Sequence, residues 1–326
     1  MNPIESSTDS FLLETGTLVC PRCQSRLVAG TGVLPSLRKL TTLTVHESGN
    51  VGATNAGEAL QCEECLLPVS FSLVDDRIGL STPYHHLLIE RWGARRYTLW
   101  ALAQNNGLIS YQQQPAASCS VEGREDVAGF ARYIGARRGN RRIEAMLDIG
   151  CGPLPRPGYL SELSGIETMV GLDPFPSSWE GIFVQGISEF IPLKENSVDM
   201  VTAATALDHT FDLDSSLAEF ARVLRPGGDL LVWDHPVRSW HQVLYNRRAD
   251  WVDYVKLRRR ARLYDDGTVL EIPRGMADPF HLKRSQRRSW PRRLVASLRA
   301  AGFQLQDSRP AQGFSHYVCT TSITPR

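Results

Sequence analysis

Apolar positions in this chain fall into two rhythms. Between residues 143 and 173 they gather into two short runs: Ile143–Ile149, where apolar residues lead into Asp148, and Thr168–Leu172 ending at Asp173. Runs that are apolar on both faces read as buried parallel strands. Set among helical stretches, they predict an α/β sheet with helices on both faces. Arg124–Arg138 reads as a helix leading into the first of these strands. Pro83 to about Asn106 reads as a second helix, opened by Ser81, Thr82 and an early proline. Its stripe of Leu87, Leu88, Trp92, Leu99 and Trp100 is interrupted by Gly93 and Arg95–Arg96, which divides it into two pieces. Nearer the start the rhythm is different. Pro68–Val74 alternates apolar and polar residues, turns at 75–77 and resumes at Ile78, as a hairpin does.

Length and composition divide this pattern into parts. At 326 residues, the chain predicts one large domain plus a smaller module. We place the boundaries at 1–82, 83–123 (connector and linker, with 112–123 the most turn-rich part) and 124–326. A 42% hydrophobic share is ample for a core, and a net charge of +1 excludes a polycation. Residues 1–9 carry neither a basic nor an apolar export region, and no apolar run reaches membrane-spanning length. The expected setting is a reducing cytoplasm with no membrane partner, where cysteines bind metal or stay free.

Four of the seven cysteines form two Cys-x-x-Cys pairs, Cys20/Cys23 and Cys62/Cys65. Four thiolates in two such knuckles complete a tetrahedral Zn²⁺ with no open position, a structural site. The intervening loop is rich in Gly, Thr, Ser and Asn, and loop-closure entropy grows slowly enough with length to allow a shared metal. Two unrelated thiol pairs, or a redox pair, are the alternative. His85 and His86 read as helix-surface histidines, since four cysteines already fill a zinc. Residues 16–82 resemble the small zinc ribbons fused to, or partnering, RNA and protein methyltransferases.

The chain's organising stretch is Leu147-Asp-Ile-Gly-Cys-Gly-Pro153. A buried strand breaks at Gly150 and Gly152, where the missing Cβ lets backbone approach a ligand. Asp173, about twenty residues on, ends the next strand where a carboxylate suits a ribose diol. The stretch resembles the first motif of class I S-adenosylmethionine-dependent methyltransferases. Glu189–Pro192, Asn196–Thr202, the helix-and-turn run Leu217–Gly228 and the strand after it follow in that family's order.

The resemblance implies a Rossmann-like sheet and S-adenosylmethionine as cofactor. It places Asp148, Gly150, Cys151, Gly152, Pro153, Asp173, Pro174, Ser188, Glu189 and Thr205 around that cofactor. Ile187 departs from the family's usual acidic residue, which leaves adenine to backbone groups and the Ser188 hydroxyl. Cys151 reads as a small residue filling a tight turn rather than a nucleophile. Pro153, Pro155 and Pro157 delay the following helix, which is expected to begin near Pro157. A last helix over 293–303, with Gly302 as its C-cap, and closing antiparallel strands at 304–308 and 316–320 complete the domain.

Candidates for chemistry lie after the fourth and fifth strands: Asp208 with His209, His235, and His281 after Asp278. Histidine titrates near neutrality and can accept the proton of a hydroxyl acceptor. Residues of about 236–280 and the helix after them are crowded with arginine, which reads as a solvated helical face for part of it, a phosphate clamp or an RNA surface, and the interleaved Trp240, Tyr245, Trp251 and Tyr254 suggest an amphipathic lid. Phe183–Phe190, Leu207–His209 and Asp278–His281 resemble a branch that methylates sugars or other small molecules in polysaccharide and natural-product pathways. The leading reading is methylation of a small acceptor, sugar- or phosphate-bearing, at a hydroxyl. The alternatives are an RNA methyltransferase that holds RNA with its ribbon and lid, and a non-catalytic scaffold.

Overall fold

The computed structural model describes residues 18–29, 59–74, 77–81, 83–94, 97, 100–101, 104, 124–160, 163–175, 177–207, 209–234, 260–262, 269–271, 290–310 and 316–322. Its strands are β1 (Leu27–Ala29), β2 (Ala59–Cys62), β3 (Pro68–Val74), β4 (Arg77–Ser81), β5 (Ile143–Ile149), β6 (Ile166–Asp173), β7 (Ile182–Gln185), β8 (Val198–Ala204), β9 (Leu224–Asp234), β10 (Arg260–Arg262), β11 (Val269–Glu271), β12 (Phe303–Pro310) and β13 (His316–Ser322). The helices are α1 (Tyr84–Trp92), α2 (Glu125–Arg138), α3 (Leu213–Val223) and α4 (Trp290–Ala300). None of the described helices is long and apolar enough to cross a membrane.

One sheet runs β1-β2-β3-β4-β7-β6-β5-β8-β9-β13-β12. Its centre, from β7 through β9, is parallel, and β13 returns antiparallel against β9. This is the Rossmann-like methyltransferase architecture. From β5 the chain winds outward to β6 and β7, then crosses back to β8 and β9. The order therefore reverses between β5 and β8, and a crevice opens at the carboxyl ends of those strands.

Side chains alternate across the sheet and divide the core into two layers. Leu147, Ile149, Val201, Leu230 and Val232 pack with Leu217 and Phe220 of α3 and Leu294 and Leu298 of α4. Met146, Met200, Leu231 and Trp233 pack with Phe130 and Ile134 of α2 on the other face. The helix ends are chemically marked. Asp212 caps α3 by accepting from the Asp214 and Ser215 N–H groups at 3.2 and 3.3 Å. α2 carries Glu125 and Asp126 in its first turn and Arg137 and Arg138 in its last, matching the helix dipole.

Two expectations change. The helix awaited near Pro157 is a single 3₁₀ turn, Gly158–Leu160. Pro153, Pro155 and Pro157 carry no N–H, and the described chain after them closes a tight turn from Leu160 N to Pro157 O at 2.9 Å. The carbonyls before that turn are satisfied from the loop after β6. Ser177 and Ser178 hydroxyls donate to Gly152 O and Pro153 O at 2.6 and 2.7 Å, and Glu180 N donates to Pro155 O at 2.7 Å.

The second change concerns the N-terminal part. β3 and β4 form the expected hairpin, which β2 and β1 extend into an antiparallel meander, but β4 then pairs in parallel with β7, with Gly79, Leu80 and Ser81 opposite Phe183, Val184 and Gln185. Leu18 bridges Leu193, and Val19 N donates to Pro192 O at 3.0 Å. Leu18, Cys20, Leu27, Cys62, Leu67 and Val69 belong to the same buried cluster as Leu147 and Leu172. The ribbon is thus continuous with the main sheet and its core.

Candidate functional site

The loop after β5 is shaped by its glycines. Gly150 and Gly152 have φ of +67° and +73°, a region that other L-residues rarely enter. A Cβ on Gly150 would also lie 2.7 Å from the Ala206 Cβ. Backbone bonds from Gly150 N and Cys151 N to Leu172 O (2.8 and 3.3 Å) fold the loop onto the end of β6. Asp173, at that end, accepts from Gly152 N at 3.0 Å and Phe175 N at 2.9 Å. The two strand tips predicted to hold a ligand therefore touch. Burial pushes the Asp173 carboxyl up to about 6, although both N–H bonds and the charge of His209 pull it down.

Asp148 and Asp173 sit on neighbouring strands but are satisfied differently. Asp148 is fully buried and accepts from the Tyr159 hydroxyl at 2.8 Å and from the Thr202 hydroxyl. Burial outweighs these bonds and pushes its carboxyl up to about 7. Cys151 is buried and fills the space over Gly171, where an added Cβ would lie 2.6 Å from the Trp179 ring and 2.9 Å from the Cys151 Sγ.

Across the crevice, Thr205 follows β8 with φ +52°, unusual for a β-branched residue, and its N–H is held by Trp233 O at 2.7 Å. His209 lies half-buried just beyond, its N–H on Ala206 O at 3.0 Å. Ser188 and Glu189 are buried, and their side chains are taken up within the fold. The Ser188 hydroxyl meets that of Ser216 at 2.8 Å, and Glu189 accepts from Phe211 N and Asp212 N at 2.7 and 2.9 Å. Glu189 thereby braces the entry to α3. Asp208, His235, His281 and most of the arginine-rich insertion lie outside the described residues.

Sequence reasoning missed the residues that close the site from the connector. The buried Tyr84 hydroxyl donates to Pro174 O at 3.0 Å, and Gln185 Nε2 donates to the same carbonyl at 3.3 Å. His85, expected on a helix surface, is half-buried instead. Its Nδ1 meets the Tyr97 hydroxyl at 2.7 Å, and its ring lies 4.0 Å from that of Tyr84. Burial and the neighbouring His86 lower its pKa to about 4. The signal available was the aromatic density of residues 84–100, Tyr84, Trp92, Tyr97 and Trp100.

The cysteines come together as their spacing predicts. Their four Sγ atoms lie within 4.8 Å of one another, with Cys20–Cys65 at 3.6 Å and Cys23–Cys62 at 3.5 Å. The two knuckles are alike. Gln24 and Leu66 follow the second thiol of each with φ of +65° and +58°, and donate to Cys20 O and Cys62 O. Arg22 N and Cys65 N point at Cys20 Sγ and Cys62 Sγ, each at 3.4 Å. A tetrahedral zinc with sulfurs at about 2.3 Å spaces them about 3.8 Å apart. The donor set fits that ion.

Comparison with known proteins bears on the middle of the chain. Over 50 residues (15% of this chain, 20% of the relative) it is 50% identical to a ubiquinone/menaquinone biosynthesis C-methyltransferase of Hahella chejuensis. Over 98 residues (27% and 39%) it is 39% identical to an uncharacterized methyltransferase of Mycobacterium bovis. The chain thus spans well under half the length of these relatives. A solved Burkholderia thailandensis 1,6-didemethyltoxoflavin-N1-methyltransferase is 16% identical, with 79% of this chain and 96% of that chain covered and a TM-score of 0.45. Residues 147–232, from the strand before the glycine loop to the strand that holds Thr205, match the family described as a methyltransferase domain.

Proposed function

We propose that the protein is an S-adenosylmethionine-dependent methyltransferase acting on a small acceptor, a hydroxyl of a sugar- or phosphate-bearing intermediate, with a structural zinc in the cysteine cluster. The observation that carries the reading is the contact between Gly152 N and Asp173 Oδ2 at 3.0 Å, which joins the tips of the adjacent parallel strands β5 and β6, next to the β5–β8 reversal. Beside it, residues 147–232 match a methyltransferase domain. The donor set suits the cofactor. Asp173 has lone pairs left for ribose hydroxyls, and the Gly150–Gly152 backbone leaves room for the methionine half. The bound sulfonium supplies an already activated methyl. The chain's own task is then to align the acceptor, exclude water and accept a proton. His209 is the described residue suited to that last role, with Asp208, His235 and His281 the further candidates.

Calorimetry with S-adenosylhomocysteine tests the cofactor reading. Binding is expected, and Asp173→Ala should weaken it by about 1.5–3 kcal/mol, the range for a hydrogen bond to a charged group. Affinity should also fall as pH drops through about 6, where the Asp173 carboxylate takes up a proton and loses acceptor sites. Unchanged affinity in the folded variant would sink the ribose assignment. For the acceptor, a strongly salt-dependent affinity for RNA would turn the reading towards RNA.

A further inference from the structure

The ribbon and the nucleoside end of the crevice meet at one backbone atom, the carbonyl oxygen of Pro174. We propose that metal binding at the four cysteines and nucleoside binding at Asp173 are thermodynamically linked, with Tyr84 as the positioning residue that transmits the coupling. The inference rests on the cofactor reading above.

The path can be followed bond by bond. Cys20 and Cys62 are fully buried in the cluster that includes Leu172 and Val184, so the metal knuckles are part of the wall on which β6 and β7 lie. From the knuckles, β2, β3 and β4 pair in succession, and β4 lies on β7 with Ser81 opposite Gln185. Gln185 is in turn opposite Asp173 on β6 and sends its side-chain N–H to Pro174 O at 3.3 Å. Tyr84 follows the end of β4 by three residues and reaches the same oxygen at 3.0 Å from the other direction. One donor on Pro174 therefore follows the ribbon strand, and the other lies on the strand paired with it. Burial raises the Tyr84 phenol pKa, so its hydroxyl remains protonated and able to donate.

What the carbonyl fixes is the turn that presents Asp173. Pro174 lies between Asp173 and Phe175, whose N–H holds Asp173 Oδ1 at 2.9 Å. If that peptide turned away, Tyr84 and Gln185 would lose their acceptor and Asp173 one of its two N–H donors. Leaving buried polar groups unpaired is costly, so the turn and its donors hold or release together. A ligand that requires the held turn then stabilises the ribbon, and by reciprocity a metal that holds the ribbon favours the ligand.

The test uses the full-length zinc-loaded protein and needs no acceptor. The equilibrium division of zinc between the protein and a metallochromic chelator is measured with and without S-adenosylhomocysteine at about 100 times its Kd. The expected result is a zinc affinity raised by about 5- to 100-fold, the span of ordinary coupling and of mass action at that concentration. Tyr84→Phe keeps the ring against Trp100, 6.0 Å away, and removes only the hydroxyl. It should retain its zinc and bind S-adenosylhomocysteine more weakly, with the gain in zinc affinity cut to less than about a third of the original factor when each protein is saturated equally. Equal zinc affinities with and without ligand overturn the linkage. An undiminished gain in Tyr84→Phe overturns it too, because the gain would then be general stabilisation of the fold. Absence of binding, seen by calorimetry on the same sample, instead refutes the cofactor reading on which the linkage stands.

Discussion

The parallel strands β5 to β9 and the meander β1 to β4 lie in one sheet, yet they are held by different means. In the parallel part, Leu147, Val201, Leu230, Phe220 and Ile134 are all fully buried, with apolar layers on both faces. In the ribbon, β1 has three residues and β2 four, and the apolar side chains described as buried around them are Leu18, Val19, Leu27, Leu67 and Val69, beside the buried Cys20 and Cys62. Pairs of strands this short are marginal by themselves. The ribbon is instead gathered around four sulfurs and leaned against a core that others provide. Burial can hold a sheet where both faces are covered, whereas a metal can hold one where little area is available.

Metal removal should break this contrast most forcibly. A structural zinc contributes about 10–16 kcal/mol in small metal-dependent domains. Chelation is therefore expected to expose the amides of residues 60–69 to hydrogen exchange while those of 147–149 and 200–203 stay protected. Equal loss in both regions would mean that the ribbon and the centre share one means of support. The converse is Phe220→Ala, which empties a fully buried site between α3 and the sheet. It should lower stability to urea by about 3–5 kcal/mol and leave the zinc content intact.

A third experiment sharpens the comparison within the centre itself. Asp148 has a folded-state pKa near 7, above the ordinary carboxyl value of about 3.9. The native state thus binds the proton more tightly, so this contribution is full below about pH 4 and is lost as pH rises towards 7. Asp148→Asn, whose amide can still meet the hydroxyls of Tyr159 and Thr202, should flatten the fall in stability between those two pH values. Parallel urea titrations of the two proteins would reveal it, and identical slopes would show that Asp148 does not titrate there. The smallest effect is expected at the surface of the same layer, where Asp212→Ala removes the α3 cap and should cost about 1 kcal/mol.

What the sequence disclosed follows the same division between local and distant causes. Gly150 and Gly152 were legible because a left-handed backbone narrows the choice of residue, and Asp173 because a strand tip is a fixed place in a βα unit. The cysteine knuckles were legible because a tetrahedral ion dictates both residue type and spacing. Tyr84 was not, since its partner Pro174 is ninety positions away and helical periodicity says only which face is apolar. The same holds for Glu189, whose N–H partners at 211 and 212 give no sign in its own neighbourhood. The prolines at 153, 155 and 157 were visible, but they did not disclose that the described residues after them form a 3₁₀ turn where a late-starting helix was expected. Nor could alternation in Pro68–Val74 tell which free edge the hairpin would join, because hydrogen-bonding edges carry no side-chain signature.

That choice of edge has a consequence for how the protein behaves in a crowded solution. Without β4, the four-residue strand β7 would be the outermost parallel strand, with a row of bare N–H and C=O groups facing water. Such an edge is a template on which other chains can add strands. The meander occupies it and, among the described residues, continues outward to β1, three residues long. A fragment that starts after residue 82 would keep the glycine loop and Asp173, but its exposed flank would favour self-association.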